Sequence, residues 1–203
     1  MGLILCLTVP GVLDVVGAVL AGGLGRRAGG DKAMLPIGGR PMVRYGLAAL
    51  REALGSEPVV VAKRGTALPD GVAVWVEPDE PRHPLTGIVH ALERAGGRDV
   101  MVLAVDLPLV SAGVIAELLH AARAPGCAVA VAREPDGRVQ PLCAVYAASG
   151  LVRLRAALVA GGRMSSVIEG MGAVAVDAPM GVLFNVNTLA DASRAEVLLR
   201  GPR

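Results

Sequence analysis

The chain has 203 residues, 53% of them hydrophobic and only 2% aromatic, with a net charge of +2. So many apolar side chains offset the entropy of ordering and argue against disorder. Near-neutral charge and a mere one Trp, two Tyr and one Phe argue against a nucleic-acid binder, and abundant Ala and Gly argue against a β-sandwich.

The first nine residues are apolar but lack a basic leader, and Asp14 follows soon after. Residues 1–14 are therefore expected to be an extension, or the product of a misplaced start codon, ahead of a single domain over 15–203. No apolar run reaches the roughly 20 residues needed to span a bilayer. Cys6, Cys127 and Cys143 have no metal-site spacing and read as thiols in a reducing cytoplasm.

Strands are expected at 15–20, 59–62, 72–76, 100–105, 128–132, 142–146 and 173–176. Several are apolar at every position, as in central strands covered on both faces. Helices are expected where Val43, Leu47, Leu50 and Leu54 share a face, over 86–95, and around Val114, Leu118 and Ala122 with Ser111 as N-cap. Two more follow, around Leu151, Leu154 and Leu158 and over 188–199. Strand alternating with helix predicts an α/β fold, a three-layer Rossmann-like sandwich with a mostly parallel sheet between helices.

Seven of the 18 residues from Gly22 to Gly39 are glycine, directly after the first strand. In an open α/β sheet, ligands bind beyond the carboxyl ends of the strands. Glycine lets backbone N–H groups turn toward a ligand, and Arg26, Arg27 and Lys32 add positive charge, so the loop suits a triphosphate. A solvated basic loop is the bland alternative. The loop is not a Walker motif, because Asp31 precedes Lys32 and Ala33 follows it. Gly23, Gly25 and Ala28 match the dinucleotide fingerprint in spacing alone, since the following glycines and prolines leave no helix there and the next strand ends in Lys63 and Arg64 rather than an acid.

Asp106 closes an apolar strand, where it can hold Mg²⁺ or merely open a turn before Pro108. Asn185 and Asn187 would share one face of a strand, and Asn187 could instead cap the following helix. Asp79 lies in an acidic loop with Glu77 and Glu80, which is otherwise a solvated segment. His83, His90 and His120 have no triad spacing, and Cys143 in an apolar strand is a poor thiolate.

Together these motifs carry a resemblance. Leu20-Ala21-Gly22-Gly23, Arg27, Asp31-Lys32 and Leu35-Pro36 resemble the opening of the sugar-phosphate and cofactor nucleotidyltransferases, most closely the molybdenum cofactor guanylyltransferases. Pro84-Leu85-Thr86-Gly87, Ala104-Val105-Asp106-Leu107-Pro108, Gln140-Pro141-Leu142 and Asn185-Val186-Asn187-Thr188 continue it in family order, over about residues 16–199. The resemblance implies the nucleotide-diphospho-sugar transferase fold and transfer of GMP from GTP to molybdopterin, with release of pyrophosphate.

It also implies site roles. Arg27, Lys32 and Asp106 would be catalytic; Leu20, Ala21, Gly22, Gly23, Lys32, Asp79 and Asp106 would bind nucleotide, with Glu77 or Glu80 as substitutes for Asp79. Asn185 and Asn187 would face the second substrate, and Asp106 with Asn187 would hold Mg²⁺. Molybdoenzymes or a molybdopterin-delivery protein are implied partners. Ala28 stands where the family usually has Met, and Ala62-Lys63-Arg64 where the guanylyl branch often has Asn. Cytidylyl or sugar-phosphate transfer is the alternative, as is an inactive nucleotide-binding protein. With so few aromatics, base recognition is expected to rest on backbone groups around Leu20–Gly22.

Overall fold

A computed structural model describes residues 14–22 and 32–200. Seven strands form one sheet: β1 (Val15–Leu20), β4 (Val59–Ala62), β5 (Ala73–Val76), β6 (Asp99–Ala104), β7 (Val129–Arg133), β8 (Val139–Tyr146) and β9 (Val174–Asp177). Their order is β5-β4-β1-β6-β8-β7-β9. β2 (Pro36–Ile37) and β3 (Arg40–Pro41) make a separate antiparallel pair. The expected strands are all present, and 15–20 and 59–62 match residue for residue.

The first four strands in spatial order are parallel, as are β7 and β9. β8 runs against both of its neighbours, so the sheet is mixed at that one strand. Helices α1 (Val43–Leu54) and α3 (Ala112–Ala122) cover one face of the sheet, and α2 (Pro84–Ala95), α4 (Leu151–Val159) and α5 (Met164–Gly170) the other. Strand side chains alternate between the two cores. Val15 and Val19 join Leu47 and Ile115, whereas Val16 and Ala18 join Ile88 and Leu154. Helix α5 was not among the expected elements, because its seven residues are too few for helical periodicity to emerge.

Helix α6 (Leu189–Arg200) stands apart, packing Ala192 and Ala195 with Ile37, Met42 and Val186 in a third cluster. That cluster anchors the segment carrying Asn187. Among the described residues, no helix is long and apolar enough to cross a membrane.

Candidate active site

The carboxyl ends of four adjacent parallel strands form a row. Glu77 follows β5, Lys63 follows β4, Gly22 lies just past β1 and Asp106 just past β6. Neighbouring strands lie about 4.8 Å apart, so the row spans roughly 14 Å. Above it opens a cavity of about 490 Å³ lined by Leu20, Gly22, Lys32, Lys63, Glu77 and Asp106, among others. That is room for a nucleotide.

At one end, three polar side chains meet. Lys32 Nζ donates to Asp106 Oδ2 at 2.7 Å and to Asn187 Oδ1 at 2.6 Å. Lys32 opens a 3-10 turn seated by buried Ala33. Asp106 is fixed from both sides of the chain, because Val105 N donates to Leu20 O at 3.0 Å and Leu107 N to Ala104 O at 3.2 Å. Its own carbonyl accepts from Val186 N at 2.9 Å, which draws the Asn187 segment to the strand end.

Asn187 is not the helix cap. Thr188 Oγ1 accepts from Asp191 N at 3.1 Å, while Asp191 Oδ2 accepts from Thr188 N at 2.9 Å and Asn187 N at 3.0 Å. This reciprocal capping box satisfies the helix start and leaves the Asn187 amide for the site. The hydrogen bonds, led by the one from the Asn187 backbone, hold the Asp191 carboxyl below its ordinary value.

The donor set fits a hard cation. Two oxygens, one of them a carboxylate, converge on a single positive group, the Lys32 ammonium. Among the described residues no group of three or more His, Cys, Asp or Glu could hold a metal. A divalent cation here would therefore take most of its ligands from phosphate and water, as Mg²⁺ commonly does.

The other end of the row holds a buried acid. Glu77 is 8% exposed, and its backbone N donates to Ala62 O at 2.9 Å. Two glycines make room for its carboxylate. A Cβ on Gly22 would lie 1.8 Å from Oε1, and one on Gly87 would lie 2.9 Å from Oε2. Lys63 Nζ lies 3.5 Å from Oε1 and also donates to the carbonyl of Pro78. Burial pushes the Glu77 carboxyl above its ordinary value, and Lys63 partly offsets this.

Among the acids of this loop, Glu77 rather than Asp79 is thus the one built into the cavity floor. Asp79 lines the same cavity but is exposed. His83 also lines it, and its Nδ1 caps α2 by accepting from Leu85 N at 3.1 Å. Asn185 departs from the expectation. Its segment is not a strand, so it shares no face with Asn187, and its Nδ2 donates to Leu183 O at 3.3 Å. Of the backbone groups around Leu20–Gly22 expected to read the base, the Ala21 N–H donates to Val61 O at 2.8 Å. Arg27 and Gly23 lie outside the described residues. Cys143 is buried, which pushes its thiol up to about 12 and leaves no thiolate.

The model of the MobA-like NTP transferase domain matches residues 17–176. A molybdenum cofactor guanylyltransferase of Cereibacter sphaeroides is 39% identical over 198 residues, covering 93% of this chain and 98% of that one. One from Methylibium petroleiphilum is 33% identical, covering 92% and 97%. Among solved structures, molybdopterin-guanine dinucleotide biosynthesis protein A from Archaeoglobus fulgidus superposes with a TM-score of 0.73 at 23% identity, covering 92% of this chain and 99% of that one. By its matched residues and its similarity to these relatives along almost its whole length, the chain belongs to the MobA-like NTP transferase family.

Proposed function

We propose that this chain transfers GMP from GTP to molybdopterin, forming molybdopterin guanine dinucleotide and pyrophosphate. The relatives named for that activity support the reading. The observation that carries it is the meeting of Lys32, Asp106 and Asn187 beside a nucleotide-sized cavity. A phosphate oxygen of molybdopterin attacks the α-phosphorus of GTP; the bond from that phosphorus to the bridging oxygen breaks, and pyrophosphate leaves with the electron pair. The attacking phosphate is already anionic, so no general base is needed. Catalysis consists of aligning two polyanions and neutralising charge.

Lys32 stabilises the departing pyrophosphate, with Arg27 and the amides of Gly22 and Gly23 assigned beside it by the family motif. Asp106 and Asn187 would hold Mg²⁺, which would neutralise and orient the phosphates. Glu77 replaces Asp79 as the acidic nucleotide contact, and Asn187 faces the second substrate. We assign the reaction to the cytoplasm, with a molybdopterin-delivery protein or a molybdoenzyme as partner.

The test is pyrophosphate release with GTP, CTP or ATP, with and without molybdopterin and Mg²⁺. Turnover is expected with GTP alone, dependent on both additions. Turnover with CTP instead would reassign the chain to cytidylyl transfer, and tight nucleotide binding without turnover would make it a binding protein.

A further inference from the structure

The segment Gln140-Pro141-Leu142 carries a sequence motif but has no part in the chemistry described above. In the fold it is a bulge. β7 pairs Val131 with Ala144 and the next residue, Ala132, with Gln140, so Pro141, Leu142 and Cys143 stand opposite no residue of β7. On the other side, the ladder between β6 and β8 ends at the Leu103–Cys143 pair. Leu142 is thereby released from both ladders, and Pro141 has no N–H to offer.

A regular strand residue faces one core, but Leu142 packs against both, because the bulge turns it toward the end of the sheet. There it lines the cavity with Ala104, Val105 and Asp106. Since β6 lies between β1 and β8, Leu142 stands on the far side of Asp106 from Gly22. It is an apolar wall at the end of the cavity where the phosphates react.

One hydrogen bond closes the bulge. Tyr146, in the same strand, donates its hydroxyl to Pro141 O at 2.8 Å. Its ring is fully buried in the core that holds Ile88 and Leu154, and its backbone is paired with Val100 on one side and Val129 on the other. The anchor is thus fixed. Burial pushes the phenol up, so it stays a neutral donor at any ordinary pH. Without it, a partly buried carbonyl would be left unpaired and the bulge free to open.

We propose that Tyr146 is a positioning residue for nucleotidyl transfer: by holding Pro141 O it keeps Leu142 beside Asp106, where the leucine excludes water from the α-phosphorus. This rests on the transfer reading and deepens it. The reaction it suppresses is hydrolysis. A water oxygen bonds to the α-phosphorus, the bond to the bridging oxygen breaks, and pyrophosphate leaves with the electron pair. The water's proton passes to solvent, and GMP is formed in place of the dinucleotide.

The test is the ratio of GMP to dinucleotide formed from GTP, molybdopterin and Mg²⁺ by the full chain. Tyr146→Phe, which removes the hydroxyl alone, is expected to raise that ratio about fivefold, the factor one hydrogen bond is worth. GTP binding stays within about twofold of wild type, as a general loss of structure would not allow. Leu142→Ala is expected to raise the ratio about tenfold. Because Tyr146 acts through Leu142, the double variant stays within about twofold of Leu142→Ala. An unchanged ratio in Tyr146→Phe, or effects that multiply in the double variant, would overturn the assignment. Should Tyr146→Phe not fold, an unchanged ratio in Leu142→Ala overturns it alone. A wild-type chain that turns over CTP in place of GTP would overturn the guanylyl reading instead, and the same variants then decide the assignment with CTP. A wild type without turnover would overturn both.

Discussion

Gly22→Ala isolates the steric logic of the buried acid. Gly22 has no positive φ, so alanine is acceptable to the backbone there, and the consequence of the change lies in what its methyl group meets. The added Cβ would lie 1.8 Å from Glu77 Oε1 and 3.0 Å from the carboxyl carbon. Ordinary contact begins near roughly 3.4 Å, so the carboxylate must retreat by about 1.5 Å. On the other side Oε2 already packs against Gly87, where an added Cβ would lie 2.9 Å away. Overpacking of this kind costs about 2 kcal/mol, a visible part of a typical total stability.

Glu77→Asp shortens the side chain by one methylene and withdraws the oxygens by about 1.5 Å. The two substitutions should therefore compensate. Urea unfolding of the wild type, both single variants and the double variant gives the coupling. The double variant is expected to be more stable than the sum of the singles implies, by about 1 kcal/mol. Additivity within about 0.5 kcal/mol, or a Gly22→Ala variant as stable as the wild type, would refute the reasoning.

Lys32→Ala removes the ammonium that joins Asp106 to Asn187, and turnover is expected to fall more than about tenfold, over about 1.4 kcal/mol of transition-state stabilisation. Undiminished pyrophosphate release would take Lys32 out of the mechanism. Asp191→Ala breaks the capping box, at about 1 kcal/mol of stability by thermal unfolding, and loosens Asn187, so turnover should fall with it. Because the folded-state Asp191 carboxyl is held low, its stabilisation is complete above the ordinary carboxylate value near about 4 and is lost as the pH falls through the folded value. The acid limb of the wild-type stability curve should therefore contain a loss that Asp191→Ala lacks. Cys143, with its thiol pushed up to about 12, is expected to resist iodoacetamide at pH 8 until the chain unfolds; rapid labelling of the native protein would contradict its burial.

The strands were legible because burial on both faces makes them apolar at every position, a pattern that survives in Val59–Ala62 without any knowledge of neighbours. Strand direction is not written in such runs. β8 runs against its neighbours because the link Glu134-Pro135-Asp136-Gly137-Arg138 is too short to hold a crossover helix, and Gly137 adopts φ 88° in the turn. Lys32, Asp106 and Asn187 were legible from the order of their motifs. Glu77 was not separable from Asp79, because its burial depends on Gly22 and Gly87, which only the fold brings against it. Asn185 was misread because alternation presumes a strand, and this segment instead turns its amide back to Leu183 O.

The chain has only two lysines among 20 basic residues, and both stand in the cavity against carboxylates. The Lys32–Asp106 side chains are 14% and 22% exposed, and the Lys63–Glu77 pair 21% and 8%. Arginine makes the exposed pairs, as in Arg51–Glu57 at 52% and 74% and Arg133–Asp177 at 40% and 73%, although Arg64 and Arg82 also line the cavity. A guanidinium binds a carboxylate through a rigid fork, whereas an ammonium is a compact point charge with three rotatable donors on a flexible stem. At a site that must exchange partners, the second is the better group. Each ammonium carries three donors, so neither Lys32 nor Lys63 is committed wholly to its carboxylate. The two lysines thus hold Asp106 and Glu77 at the strand ends through rotatable donors rather than a rigid fork.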